Sequence, residues 1–117
     1  NYPAEIEADA IYLAQVVAER DASKRHLEEI EDQISAEVIA RKDDNGKPYY
    51  SNETLRGIQI RERCRQSGTY KNWEKQLEAK EAARVLVGAK LERLRNEFSV
   101  WKIEERRRIA EMEAVSG

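Results

Sequence analysis

Arg56, Arg61, Arg63 and Arg65 crowd one short stretch of this sequence, with Lys71 and Lys75 following and Tyr49, Tyr50, Tyr70 and Trp73 close by. Guanidinium and ammonium groups contact phosphates and aromatic rings stack on bases, so this is the combination a nucleic-acid surface uses. On that reading Arg56, Arg61, Arg63, Arg65 and Lys71 hold the backbone, and Tyr49 or Tyr50 stacks on a base. Two observations pull against it. Glu53 and Glu62 interrupt the basic run, and the chain carries a net charge of −2. The same arginines are therefore read first as solvating a helix and pairing with Asp32, Glu37, Asp43 and Asp44.

Other chemistry has less to stand on. Glu28, Glu29, Glu31, Asp32 and Glu37 form an acidic run that could imitate the charge spacing of nucleic acid and occupy a basic protein, although solvated acidic helix faces are common. His26 and Cys64 are the only residues of their types, which excludes an internal disulfide and a zinc-finger ligand set. His26 is expected in solvent. Cys64 stands among arginines that would lower its pKa, yet it lacks a histidine base and reads better as a half-buried structural thiol. No glycine-rich phosphate loop or nucleophile elbow occurs. No cofactor is expected, and no enzyme.

The elements that would position these residues are signalled more clearly. Ile6, Leu13, Leu27 and Ile34 fall on one seven-residue grid, and Leu77, Leu91, Phe98 and Met112 fall on a second, joined by Leu94 and Trp101 at the intervening positions. Such spacing gives two helices, each with an apolar seam. Trp101 with Phe98 and Val100 could anchor a partner, but Phe98 and Trp101 match the grid and are read first as core of the hairpin or its dimer. Both seams thin out in the middle, at Arg20 and Ser23 or Lys24 on the first and at Lys80 and Arg84 on the second. The prolines, Pro3 and Pro48, sit at element edges, and Asp43-Asp44-Asn45-Gly46 is a strong turn signal. The spacing predicts helices over about 4–41, 52–66 and 70–114, with a turn over 43–50, Ser51 or Asn52 capping the second helix and Thr69 the third.

Charge divides the chain. Residues 1–46 hold 12 acids and 5 bases, and residues 47–117 hold 11 acids and 16 bases, giving −7 and +5. Antiparallel pairing of the two long helices would bring these halves together, with charge choosing the register and the apolar seams supplying the energy. With 38% charged and 40% hydrophobic residues, the composition suits extended helical structure better than a compact globule or a disordered tail.

The stretch Lys47-Pro48-Tyr49-Tyr50-Ser51-Asn52-Glu53, a short basic helix, and then Leu91-Glu92-Arg93-Leu94-Arg95-Asn96-Glu97-Phe98-Ser99-Val100-Trp101 together resemble small helical-hairpin proteins carried by bacteriophages and integrated elements. The resemblance spans about the last 70 residues. It implies an accessory role near DNA recombination and carries over no functional residue.

The fold expected is all-α, a single elongated antiparallel helical hairpin over residues 1–117 with a short helix at its tip. A two-helix hairpin leaves its seams partly open, so self-association into a dimer or larger bundle is expected, or binding to another protein. No apolar run is long enough for a membrane and no signal-peptide pattern opens the chain, so the expected setting is reducing and cytoplasmic. The functional expectation is a non-enzymatic interaction or accessory module, with the nucleic-acid surface second and the acidic mimic third.

Overall fold

A computed structural model describes residues 1–116, and these are all-α, arranged as helix–turn–helix–helix. Helix α1 spans Tyr2–Ala40, α2 spans Glu53–Gln66 and α3 spans Gly68–Ser116. The described residues form two compact units, one of 1–17 with 82–116 and the other of 18–81, and α1 and α3 contribute to both.

In the first unit the two helices run antiparallel. Tyr2 stacks on Phe98 with ring centroids 5.7 Å apart, and one turn pair further along Asp9 holds the Lys90 ammonium at 3.2 Å. As the α1 number rises from 2 to 9, the α3 partner falls from 98 to 90. Val16, Leu91 and Leu94 are the buried apolar residues of this unit. They supply its hydrophobic core.

The second unit repeats the antiparallel sense. Glu19 pairs with Lys80, Arg20 reaches Glu81 at 2.9 Å, and His26 stacks on Trp73 with ring centroids 4.0 Å apart. From 19 to 26 on α1 the partner moves from 80 to 73 on α3, a step of seven in each direction, which is the two-turn repeat of a coiled-coil seam. Two of the polar positions that thin the seams, Arg20 of α1 and Lys80 of α3, each meet an acid of the opposite helix here. Ser23 is buried nearby in sequence, its hydroxyl donating to the Glu19 carbonyl at 3.1 Å, so a small side chain and ion pairs stand where this stretch lacks large apolar residues. Leu27, Val38 and Cys64 complete the buried set.

Local rules explain where the helices stop. Asp43 organises the turn: its carboxylate accepts from the Asn45 and Lys47 amides at 2.9 Å each, and its amide donates to the Lys47 carbonyl at 2.8 Å. Gly46 sits at φ +76°, a region costly for any residue with a Cβ. The following residues, expected as extended chain, instead bend at Lys47, Tyr49 and Tyr50, with an isolated antiparallel bridge between Lys42 and Pro48. Asn52 caps α2 from an extended backbone, its carbonyl oxygen accepting from the Leu55 amide at 2.8 Å. Removing that acceptor strands a helix-end amide, so Asn52→Ala is expected to cost about 1 kcal/mol, read from the midpoint of urea unfolding.

The start of α3 corrects one expectation. Ser67, not Thr69, is the cap: its hydroxyl accepts from the Tyr70 amide at 3.2 Å, and its own amide donates to the Arg63 and Cys64 carbonyls that end α2. One serine therefore serves two helix ends, and α3 begins two residues early at Gly68.

Candidate functional site

The aromatic and basic residues singled out above lie in the second unit. Tyr49 is exposed, meets Tyr50 edge-on at 4.9 Å, and carries the Arg41 guanidinium 4.0 Å above its ring. That guanidinium occupies one face of the ring a base would use. Tyr50 is half-buried, with its hydroxyl accepting from Arg41 at 3.3 Å and its carbonyl from Arg56 at 3.2 Å. Arg56 thus fastens α2 to the segment before it. Arg63 points to Glu37 of α1 at 3.6 Å, and Arg65 pairs with Glu62 one turn back at 3.2 Å.

Arg61 and Lys71 remain exposed. Together with Arg65, Cys64 and Tyr70 they line a small concavity of about 260 Å³, but Glu31 and Glu74 line it too. The carboxylates decide its character. The Cys64 thiol is pushed up, first by burial and then by Glu31 and Glu74, and the Tyr70 hydroxyl is pushed up by burial and the same carboxylates. This reverses the expectation of a thiol activated by neighbouring arginines. Glu31 and Glu74 belong to other helices, so the residues beside Cys64 in sequence are not the charges that govern it.

His26 keeps 46% of its side chain exposed, and one face of its ring is covered. It lies flat on Trp73, at an interplanar angle of 17°, with Glu29 3.6 Å from its Nδ1.

The seam residues divide into two groups. Leu27, Leu91 and Leu94 are buried, and Ile6, Leu13, Ile34, Leu77 and Phe98 are half-buried. Trp101 and Met112 are exposed, at 46% and 56%, within the single chain. In the first unit Tyr2 of α1 lies against Phe98 and lines a groove together with Trp101, while Met112 stands two further repeats along α3 from Phe98.

No protein-family model, curated protein or solved structure matches this chain.

The exposed end of α3 is the second candidate surface. Val100, Trp101, Ile103, Ile109, Met112 and Val115 are all exposed there, between 45% and 89%. Trp101 also stacks on Phe98 with centroids 6.1 Å apart, so the aromatic stripe continues along α3. Beside it an open groove of about 770 Å³ runs between the start of α1 and α3, lined by Tyr2, Pro3, Leu94, Phe98 and Trp101 among others. Further along, Arg108 pairs with Glu105 on the same helix and holds that carboxyl below the usual carboxylate range. Ile103 and Val115 lie outside the residues singled out from the sequence, and their only signal was apolar character late in a charged helix.

Among the described residues no helix is long and apolar enough to cross a membrane, and no group of three His, Cys, Asp or Glu side chains is placed to hold a metal ion.

Proposed function

We propose that this chain is a non-enzymatic protein-interaction module whose working surface is the apolar end of α3. The observation carrying this reading is the exposure of Trp101, Met112 and Val115, which helical spacing puts on one face of α3, with Val100, Ile103 and Ile109 exposed around the same stretch. Exposed apolar side chains that line up on one helix face mark a surface for a partner. An accessory role of the kind implied by the resemblance to phage and mobile-element hairpins suits such a module. A cytoplasmic setting suits its single reduced thiol.

The nucleic-acid reading is weaker on the same grounds. Arg56, Arg63 and Arg65 already have partners within the chain, Arg41 covers a face of Tyr49, and Glu31 and Glu74 sit beside Arg61 and Lys71. The acidic mimic has its Glu37 paired with Arg63 and its Glu29 beside His26.

A photo-crosslinking amino acid at position 109 tests the choice against the same group at position 49. Irradiated in purified form and in cell extract, the chain labelled at 109 is expected to give protein adducts several times more abundant than the chain labelled at 49. Adducts concentrated at 49 and containing nucleic acid would reverse the ranking, and adducts at neither position would remove the interaction reading.

A further inference from the structure

The exposed stripe of α3 has a pattern that reads the same when turned around. Continuing the seven-residue grid from Phe98, the seam positions are Phe98, Trp101, Glu105, Arg108, Met112 and Val115. Two apolar residues, an acid, a base and two apolar residues follow in order. In an antiparallel pair each layer matches a residue from one helix with its counterpart counted from the other end. Phe98 then meets Val115 of a second copy, Trp101 meets Met112, and Glu105 meets Arg108, with each contact occurring twice. That is the self-complementarity a twofold interface requires.

We infer that the α3 ends of two copies of this chain pair antiparallel, with Glu105 and Arg108 forming a central charged layer between apolar layers of Trp101 with Met112 and Phe98 with Val115.

Four observations support this occupant. Charge is the first: a parallel pair would set Glu105 against Glu105 and Arg108 against Arg108, whereas the antiparallel pair sets acid against base in both central layers. Second is the direction of approach. The second copy's helix runs antiparallel to α3, the same sense in which α1 packs on it in this unit. Its Val115 would reach the groove beside Phe98, and Val115 is the most exposed large apolar residue in the chain at 89%. Third, the Glu105 and Arg108 side chains already lie together on one face, so exchanging an intrachain partner for an interchain one needs little rearrangement. Area is the fourth. The stretch 99–116 is roughly 27 Å of helix, and covering its seam removes about 600 Å² on each copy, a total near 1,200 Å², the lower end of specific interfaces. The association is therefore modest and reversible, with dissociation constants of about 1 to 100 µM.

This inference rests on the interaction-module reading, and charge exchange tests it separately. Sedimentation equilibrium of the full chain from about 1 to 300 µM should show the mass rising from 13.6 kDa toward twice that value. Glu105→Arg alone leaves bases at both central layers, and Arg108→Glu alone leaves acids at both. Each should weaken self-association by at least about tenfold, because like charges then face each other across the seam. An equimolar mixture of the two variants should associate as tightly as the native chain, and the double variant E105R/R108E should self-associate again. Circular dichroism showing native helix content in every variant excludes unfolding as the cause. A native chain that stays at 13.6 kDa throughout, or a mixture no tighter than either variant alone, overturns the inference. If the native chain is monomeric while position 109 still crosslinks to other proteins, the antiparallel dimer fails and the interaction module stands.

Discussion

Leu91→Ala is expected to destabilise the chain by about 3 kcal/mol, while Trp101→Ala, ten residues further along the same seam, is expected to change the stability of the isolated chain by less than about 1 kcal/mol. Both side chains are large and apolar, and the repeat places both on the stripe that faces α1. Burial separates them. Leu91 is 3% exposed and is one of three buried apolar residues in its unit, together with Val16 and Leu94, whereas Trp101 is 46% exposed. Truncating a buried leucine loses the transfer free energy of its methyl groups and leaves a cavity that a two-helix unit closes only in part. With so few other buried side chains in the unit, little remains to compensate. Urea unfolding followed by helical circular dichroism, at a concentration where the native chain is monomeric, measures both variants. Equal losses for the two would mean that Trp101 is covered in the single chain, and the register set by Tyr2 and Phe98 would then be wrong.

This contrast also marks how far the sequence could be read. The seven-residue spacing of Ile6, Leu13, Leu27 and Ile34, and of Leu77, Leu91 and Phe98, identifies two helices because an apolar stripe with that period is stable only as a helix packed along one side. The break between them is legible for an equally local reason: Asn45-Gly46 supplies a left-handed residue and Asp43 a side-chain acceptor, and neither function depends on the rest of the fold. Asn52 was recognisable as a cap on the same basis. Ser67 was harder to choose over Thr69, because two hydroxyls stand one residue apart from Gly68 and only the placement of the Tyr70 amide distinguishes them.

What resisted reading depends on distant partners. Periodicity says which residues share a face and nothing about which of them the opposite helix covers, so Trp101 and Met112 could not be separated from Leu91 and Leu94. The polar stretches around Arg20 and Lys80 each look like a fault in a seam when viewed singly. In the fold Arg20 and Lys80 each meet an acid of the opposite helix, with Ser23 buried nearby in sequence. The arginine-rich α2 was read more nearly right: Arg63 meets Glu37 of α1, one of the acids expected to pair with it, while Arg65 pairs with Glu62 one turn back on α2 itself, and only the geometry chooses which acid each arginine takes.

Cys64 should react with neutral iodoacetamide about a hundredfold or more slowly in the native chain than in the urea-denatured chain, since alkylation requires both access and ionisation. Access is poor because the side chain is 6% exposed in the second unit. Ionisation is opposed by burial, which is the larger effect, and by the carboxylates of Glu31 and Glu74. The reaction should therefore follow transient opening of the unit, and Val38→Ala, which removes most of a side chain that is only 1% exposed, should speed it by raising the open population. The raised thiol pKa also gives a sign to the pH dependence of stability. Below the ordinary thiol range both folded and unfolded chains keep the proton, and Cys64 contributes no slope. As pH rises through that range the unfolded chain releases the proton while the folded chain retains it, so folding becomes less favourable until the native thiol also ionises. Tyr70, raised by burial and the same acids, adds a second loss at higher pH. Cys64→Ala should abolish the first of these losses and leave the second. Alkylation as fast in native as in denatured chain, or stability that increases with pH across the thiol range, would place Cys64 in solvent beside its arginines and contradict the packing of α2 described here.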